Sequence, residues 1–411
     1  MIIYIKLAWR NIWRNKKRSL VVITSIGMGV FLMIITMSVV NGMNYQMIDN
    51  TISTSLGHVS IHKKGFIENI KPSYSFKPSP GIYEKIINTG RVTGAAARIK
   101  IQGMVRSSEA SQGVVITGID PLREKTVSEL FEYMVKGQGE GYPENPDGDW
   151  IIISKQTADK LDLIPGDRLV LMFQDAGEQI VAESFYVSGI FVSPIDTFDK
   201  FTVFTGIKKL QSIAAMGSSI SEISIRVETR NDAVAVCDII KVFTSDPAIE
   251  TVTWQQMAPS ILSAIRLYDA LMFVFFGIIF ITVIFSVANT MIMAIMERFH
   301  EIGVMKCIGT RPQNIFIMIT AEAISLGFAG MAAGLAASII LVGIFAYTGM
   351  DLSIFSESMR IWGTGSVIYP LLMLKDIISS VIIVFMTAVI SSIYPAIKAA
   401  RIKPMEALNF L

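Results

Sequence analysis

Four apolar runs constrain this chain more than any other feature, because each is long enough to cross a bilayer as a helix. About 20 helical residues span the hydrocarbon core. With 52% hydrophobic and 17% charged residues, the chain is too apolar for an ordinary soluble enzyme and too charged to lie wholly in lipid. A polar stretch, 44–265, separates the first run from the other three. The predicted spans are 20–43, 266–296, 315–347 and 372–396.

The basic residues predict the orientation of these spans. Residues 1–19 contain six Lys or Arg and no acid, and the segments 297–314 and 397–411 are also net positive. Lys and Arg accumulate in cytoplasmic flanks, so both termini and 297–314 are predicted to be cytoplasmic. The stretch 44–265 and the short loop 348–371 are then outside. A cleavable signal peptide fits poorly, because the first run is longer than the about 7–15 apolar residues of such a peptide.

The segment 2–14 mixes apolar, aromatic and basic residues. It is interpreted either as an amphipathic interfacial helix or as a basic flank and no more. The two cysteines, Cys237 and Cys307, fall on opposite sides of the membrane in this topology, so no disulfide between them is expected.

The polar stretch 44–265 alternates between strand-like and helix-like patterns, which predicts an α+β extracytoplasmic domain inserted between the first and second spans. Helical spacing covers 155–163 and 232–244. The Gly-, Pro- and acid-rich segment 136–149 predicts a mobile outer loop. The predicted strands are 58–62, 97–101, 113–118, 150–153, 168–173, 184–189, 201–204 and 222–226.

Several kinds of chemistry are not predicted for this chain. No Gly-Lys pair is followed by Ser or Thr, so a phosphate-binding loop of the G-x-x-x-x-G-K-[ST] kind is absent and ATP hydrolysis by the chain itself is not expected. The three histidines, His58, His62 and His300, do not have the spacing of a metal site. No catalytic residue, metal, cofactor or nucleic-acid partner is predicted. Glu322, about two turns inside the third span, is either a buried interaction site or a residue that faces the interfacial region or a neighbouring helix.

A compact polar island, 297–309, joins the second and third spans and is predicted to form a short helix at one membrane face, where a soluble partner could push on it. Its apolar residues Ile302, Met305 and Ile308 recur at i, i+3 and i+6, a spacing that suits docking into a groove. The alternative is a solvated loop that only joins two spans. The other predicted contact residues are Glu297, Arg298, Glu301 and Lys306, which carry charge, and Gly303 and Gly309, which permit close approach and a helix stop.

The residues Met296–Gly309, followed by Ile315-Phe316 and Ala321-Glu322-Ala323, resemble the signature of FtsX-type ABC transporter permeases. Tyr394–Leu408 is similar to the ending common to those permeases. Within that superfamily the chain most resembles the lipoprotein-releasing permeases of the LolC and LolE kind. Macrolide-exporter permeases of the MacB type share the four-span plan but carry a fused ATPase.

The resemblance implies a permease of the bacterial inner membrane that pairs with a second copy or a paralogue. A separate cytoplasmic ABC ATPase dimer would bind ATP and magnesium and act on 297–309, and its motion would reach the periplasmic domain by mechanotransmission. An acylated lipoprotein would enter from the outer leaflet and pass to a periplasmic carrier. No cofactor is expected in this chain itself.

Methionines in and beyond the first span, Met33, Met37, Met43 and Met47, are candidates for the path of such a substrate, because Met adapts to irregular apolar partners. Ordinary lipid-facing or helix-packing roles are the alternative. Two other functions stay open: a mechanotransmitting permease of a tripartite efflux system for a small molecule or peptide, and a regulator of a cell-wall hydrolase that moves no substrate. Glycines of the third span, Gly327, Gly330, Gly334 and Gly343, predict close packing against other helices.

Overall fold

A computed structural model describes residues 16–139, 147–244 and 246–403. The predicted interfacial segment 2–14, the middle of the predicted outer loop 136–149 and the tail after residue 403 lie outside these described residues. The chain divides into two compact units. The helical unit takes in the described parts of Met1–Asn44, Ala264–Leu352 and Val367–Leu411. The sheet domain takes in Tyr45–Ser263 and Ser353–Ser366.

The helices are, in chain order, α1 Lys16–Thr51, α2 Ile82–Ile87, α3 Pro121–Glu124, α4 Lys155–Leu161, α5 Asp196–Phe201, α6 Ile207–Ile213, α7 Asp232–Phe243, α8 Trp254–Met257, α9 Pro259–Glu297, α10 Phe299–Cys307, α11 Pro312–Thr348, α12 Ser356–Ile361 and α13 Leu374–Ala400. Within the described residues, four of these helices are long and apolar enough to cross a membrane, namely α1, α9, α11 and α13.

The long helices extend beyond most of the predicted span limits. A helix can continue past the residues that cross the membrane, because polar residues also adopt helical geometry. The α1 helix continues through polar residues to Thr51 and passes into a π-helical turn, Ile52–Leu56. The α11 helix begins at Pro312, a residue suited to the first helical turn, and stops before Gly349, whose φ of 72° favours glycine. The α13 helix tolerates Pro395 and continues into the predicted tail.

Glycines allow α1 and α11 to approach closely. A Cβ atom added at Gly334 would lie 2.4 Å from the carbonyl oxygen of Gly27, and one at Gly330 would lie 2.9 Å from the carbonyl oxygen of Ile23. Gly327 faces α13, where its added Cβ would lie 3.0 Å from the Cβ of Ala388. The packing role predicted for these three glycines is therefore confirmed.

At Gly343 the packing prediction is wrong, because nothing lies within 4 Å of an added Cβ. The residue therefore has open space on the side where a side chain would stand. Small size permits close approach of helices but does not create a neighbour.

The sheet domain is built on a mixed ten-stranded sheet. The long strand β2 pairs with β9 through its first half and with β3 and β6 through its second half. The pairs β3 with β8 and β5 with β7 are parallel. The strands are β1 Val59–Lys63, β2 Val92–Arg106, β3 Ser111–Ile119, β4 Met134–Gly139, β5 Trp150–Ser154, β6 Arg168–Gln174, β7 Ile180–Phe191, β8 Thr202–Gly206, β9 Glu222–Val227 and β10 Ile249–Thr253, with a two-stranded ribbon of β11 Met350–Asp351 and β12 Val367–Ile368 in the helical unit.

Strand pairing closes a ring of six strands, in the order β2, β3, β8, β5, β7 and β6, with β6 returning to β2. One hydrophobic core belongs to this ring and includes the fully buried Ile101, Ile116, Ile153 and Phe185. A second core lies beside β1, β9 and β10 under α7. All eight predicted strands and both predicted helices are confirmed, while β4 and β10 had not been predicted.

The predicted loop 348–371 is more than a connection. Its middle part, 353–366, contains α12 and belongs to the sheet domain. Arg360 of α12 donates to the carboxylate of Asp199 at 2.5 Å, and Asn50 donates through Nδ2 to the carbonyl oxygen of Gly363 at 2.9 Å. The domain predicted as 44–265 is therefore discontinuous in sequence, because specific polar contacts hold a distant segment against it.

Candidate functional site

The charged residues where α9 ends and α10 begins form ion pairs within the chain, and two of these pairs reach other helices. Glu297 pairs with Arg18 of α1 at 2.6 Å. Arg298 pairs with Glu301 and with Glu322 of α11, both at 3.2 Å, and the side chain of Glu322 is only 5% exposed. Glu322 is therefore buried in an interaction, as the first interpretation predicts, and its partner comes from a neighbouring helix, as the second interpretation allows.

Lys306, near the end of α10, forms hydrogen bonds with the end of α13. Its Nζ atom donates to the carbonyl oxygens of Ala400 and Ile402 at 2.7 and 2.6 Å. The last carbonyl groups of a helix have no partner within the helix, so an ammonium group beside them satisfies these acceptors and the negative end of the helix dipole together. The predicted coupling helix is thus joined to α1, α11 and α13 by ion pairs or hydrogen bonds.

The sequence predicted that Ile302 lies on an apolar docking face, but in the structure this side chain is buried. Ile302 is 2% exposed, Gly303 is also buried, and Met305 packs against the core of the helical unit. Ile308, in contrast, is 79% exposed, and the following Gly309 has a φ of 90° that ends the helix. A spacing of three residues defines a helix face, but the neighbouring helices of the chain itself cover most of that face.

The surface that α10 leaves exposed is therefore narrower than predicted. Glu301, Val304, Cys307 and Ile308 are exposed, and Val304 and Ile308 are large and apolar. A soluble partner could reach this edge without displacing the buried residues. Force applied there would pass to three other helices through the contacts of Arg18, Glu322 and Lys306.

An apolar cavity of about 600 Å³ lies between α1, α9 and α13 in the helical unit. Two of the predicted substrate-path residues, Met33 and Met37, line it. Aromatic and aliphatic side chains dominate the rest of the wall, and Asn41, Asp269 and Lys375 are among its polar residues. The remaining lining residues are Val40, Met272, Phe273, Phe276, Gly277, Phe280, Asp376, Ser379, Ile382, Ile383 and Met386.

A buried carboxylate fixes one polar side of this cavity. Asp376, in the first turn of α13, is 1% exposed and accepts hydrogen bonds from Nδ2 of Asn41 at 2.7 Å and from the backbone nitrogen of Met373 at 3.1 Å. The bond from Asn41 ties α1 to α13 at the cavity wall. The cavity therefore combines an adaptable apolar surface with a few oriented polar groups, as ligand sites do.

The other predicted substrate-path methionines do not line the cavity. Met47 is buried in the sheet domain close to Gly363, and Met43 is partly buried on α1. The predicted set is therefore divided, with Met33 and Met37 at the cavity and the other two elsewhere. Position along α1 accounts for the division, because at about 1.5 Å per residue Met43 and Met47 lie about 9 and 15 Å further along the helix than Met37.

A row of ionisable side chains crosses four strands of the sheet domain, and the sequence analysis did not find it. Strand register places Glu250 opposite His62, His62 opposite Glu222, and Glu222 opposite Arg98. Arg98 is 2% exposed and donates through Nε and Nη2 to Glu124, itself 1% exposed, at 3.1 and 2.6 Å. A signal was present in the charged residues of otherwise apolar strands, but only the register brings them together.

Charge compensation explains the pKa values in this row. Burial alone would raise the pKa of Glu222, but the nearby Lys100 and Arg98 outweigh burial and lower it. Burial likewise opposes the charge on Arg98, whereas Glu124 and then Glu222 raise its pKa. Glu222 and Arg98 therefore stabilise each other's charged forms, and removing Arg98 would leave an uncompensated buried charge.

The two histidines of the sheet domain have separate environments. Burial, together with Arg226 and Arg230, lowers the pKa of His58 to about 4. Its Nδ1 accepts from the backbone nitrogen of Val227 at 3.3 Å, which requires an unprotonated Nδ1. In the part of the chain that the structure describes, no group of three or more His, Cys, Asp or Glu residues is placed to hold a metal ion.

Comparisons with known proteins match both units of the chain. A family model for the MacB-like periplasmic core domain matches residues 19–241, and a model for the FtsX-like permease C-terminal region matches residues 273–404. The first match covers more than half of the chain. The second contains α10 together with α11 and α13, two of the helices that contact it.

Curated relatives match over nearly the whole length. The lipoprotein-releasing system transmembrane protein LolC of Xylella fastidiosa is 20% identical over 95% of this chain and 94% of that protein. LolC of Neisseria meningitidis is 21% identical over 97% of each chain. The pyoverdine export ATP-binding/permease protein PvdT of Pseudomonas fluorescens is 23% identical over 98% of this chain and 59% of that protein.

Proposed function

We propose, from the premise that this chain belongs to the FtsX/MacB family of ABC transporter permeases, that it releases lipoproteins from the outer leaflet of the bacterial inner membrane to a periplasmic carrier. It would act with a second permease, either another copy or a paralogue, and with a separate cytoplasmic ATPase dimer. The basic flanks support cytoplasmic termini and a periplasmic sheet domain.

The apolar cavity between α1, α9 and α13 is the observation that carries this proposal. Met33, Met37 and Phe276 supply a surface that acyl chains of different lengths can contact, because Met has an unbranched and adaptable side chain. The polar groups Asn41 and Asp376 in its wall would contact the polar part of an acylated residue. The LolC relatives, matched over nearly their full length, support this substrate class.

Energetics explain why such a permease needs an ATPase. Removing an acyl chain from lipid costs about 0.8 kcal/mol per CH₂ group, and a multiply acylated protein exposes many such groups. The polar and apolar contacts of one cavity offset only part of that cost. We place the energy input at the exposed edge of α10, Val304 and Ile308, from which three ties lead to the other long helices.

Photo-crosslinking in cells tests the proposal. A photoreactive amino acid at Met33 or Met37, in cells fed an alkyne-tagged fatty acid, should give crosslinked protein adducts that carry the tag. Ile340 on α11 offers a control, because it is 66% exposed and does not line the cavity. Tagged protein adducts at Met33 and Met37, with only lipid adducts at Ile340, are expected.

Other outcomes of this experiment identify other functions. Adducts of small molecules or untagged peptides at Met33 would favour an efflux permease, a role that the PvdT relative supports. An equal yield of tagged protein at Ile340 would mean that α1 has no special role. A further probe at an exposed position of the sheet domain that captured a soluble hydrolase, with no protein adducts at Met33 or Met37, would favour the regulatory function.

A further inference from the structure

A second cavity, of about 330 Å³, lies at the opposite end of α13 from the polar side of the first cavity. Four exposed lining residues lie on one face of α13 and its C-terminal cap, at the spacing i, i+3, i+4 and i+7. They are Tyr394, Ile397, Lys398 and the cap residue Arg401. The opposite wall comes from the end of α9 and the start of α10. Its residues are Ile295, Met296 and Phe299, and Ile402 completes the lining.

Both cations of this cavity are available for a ligand. Lys398 and Arg401 are exposed and one helical turn apart, and neither has a carboxylate within ion-pair distance among the described residues. The carbonyl oxygens of Ala400 and Ile402, at the end of α13, accept from Lys306. Within the described residues, these two positive charges thus border an apolar floor without a carboxylate to compensate them.

The position of the cavity restricts what could occupy it. It lies at the ends of α9 and α13, two of the helices long and apolar enough to cross a membrane, where such a helix would meet the headgroup region. Tyr394 has the mixed apolar and polar character of residues that sit at that depth. Basic pockets between membrane helices suit anionic lipid headgroups, and an apolar floor beside the charges suits an acyl chain better than it suits a free anion.

We propose that this cavity is a binding site for an anionic phospholipid of the phosphatidylglycerol class. The phosphate lies between Lys398 and Arg401, and one acyl chain packs against Ile295 and Ile397. Because Phe299 is the first residue of α10, the bound lipid also contacts the helix that carries the predicted ATPase contact. The site does not depend on the lipoprotein substrate, so it stands or falls separately from the proposed function.

The test is a lipid titration of the full-length protein in a neutral detergent, followed by native mass spectrometry. Phosphatidylglycerol should bind with a clear preference over phosphatidylcholine of the same acyl composition. Each basic residue near a lipid phosphate is worth about fivefold in affinity, so Lys398→Gln with Arg401→Gln should weaken phosphatidylglycerol binding about 30-fold. Ile397→Trp keeps both charges but fills the apolar floor, and it should weaken binding as well.

A matched double variant separates this site from general electrostatics. Arg311→Gln with Lys403→Gln removes the same charge from exposed residues at the same end of the long helices, outside the cavity lining. It should change binding less than threefold, on the order of a rim charge. Equal losses in the two double variants, no preference for phosphatidylglycerol, or an unaffected Ile397→Trp variant would overturn the proposal. Displacement of the lipid by inorganic phosphate at equal concentration would also overturn it.

Discussion

In the sheet domain every residue of β5 is buried, whereas in the helical unit Phe273 and Phe285 are 81% and 71% exposed. The two regions use similar apolar side chains in opposite ways. The domain gains stability by removing them from water, but lipid is as apolar as the side chains that face it. Helices in such surroundings need other contacts for specific packing.

Those other contacts are of two kinds: close approaches of helix backbones at glycine residues, and hydrogen bonds or ion pairs between polar side chains. In the helical unit the close approach of Gly27 to Gly334, the pair of Arg298 and Glu322, and the bond from Asn41 to Asp376 hold particular helices together. In the sheet domain, by contrast, the ionic row around Arg98 is buried in a sheet whose apolar residues already provide the packing. Substitutions of the two kinds should therefore fail in different ways.

The largest expected effect is at the ionic row. Arg98→Ala leaves Glu124 and Glu222 buried without their shared cation, which should lower the free energy of unfolding of the sheet domain by about 3–5 kcal/mol. Urea unfolding of the full-length protein in detergent, followed by tryptophan fluorescence, measures this change. Arg91→Ala is the control, since Arg91 is exposed and its pair with Asp232 lies at the surface, where an ion pair contributes little to stability. Similar losses in the two variants would contradict the buried network.

The next effect concerns pH and is confined to the sheet domain. His58 has a pKa of about 4 in the folded protein and about 6.5 when unfolded, so its neutral form favours folding above pH 6.5. That contribution, about 3 kcal/mol, should be lost as the pH falls from about 6.5 to about 4, because the unfolded chain then binds a proton that the folded chain excludes. Unfolding measured across this range gives the slope.

His58→Asn is the matched variant for the pH effect. Its Oδ1 can still accept from the backbone nitrogen of Val227, but the residue does not titrate. The slope between pH 6.5 and 4 should decrease relative to the wild-type protein. An unchanged slope would assign the pH dependence to other groups.

Close helix packing in the helical unit is tested by Gly334→Ala. Because the added Cβ would lie 2.4 Å from the carbonyl oxygen of Gly27, α1 and α11 must separate, at a cost of about 1–3 kcal/mol. Thermal unfolding of helical circular dichroism in detergent should show a lower midpoint. Gly343→Ala, on the same helix, should not destabilise, since nothing lies within 4 Å there. Equal behaviour of the two variants would remove the distinction between the glycines.

The smallest effect is expected at the contact between α10 and α13. Lys306→Met removes two hydrogen bonds to the carbonyl groups of Ala400 and Ile402, which should speed local amide exchange in Phe299–Cys307 by about tenfold, equivalent to about 1.4 kcal/mol. Hydrogen exchange with mass spectrometry measures this directly. Lys375→Met, at the other end of α13, should leave exchange in α10 unchanged. If both variants exchange like the wild-type protein, Lys306 does not hold α10 in place.

Much of the fold could be predicted because its signals are local. The four apolar runs and the alternation in eight strands lie within short windows of sequence, and the structure has helices and strands at those places. The strands β4 and β10 were missed for local reasons as well. Two glycines, a lysine and a glutamine weaken the pattern of Met134–Gly139, and Ile249–Thr253 is short and carries Glu250.

The candidate site was harder to predict because its contacts are distant in sequence. The island 297–309 was identified from composition alone, but burial of Ile302 depends on which helices of the chain lie beside it. The tie from Lys306 to Ala400 spans 94 residues, and the row through Arg98 needs the register of four strands. Spacing rules find a helix face, whereas only the assembled fold decides what covers it.

The contact between Arg360 and Asp199 has a consequence for anyone who excises the sheet domain. A fragment covering 45–263 contains Asp199 but leaves out the arginine that neutralises it. Burial has already raised the pKa of this carboxyl group to about 6, and losing Arg360 would raise it further. Such a fragment would take up this proton at a higher pH than the intact chain does. Transplanting the domain between permeases therefore requires two pieces of sequence.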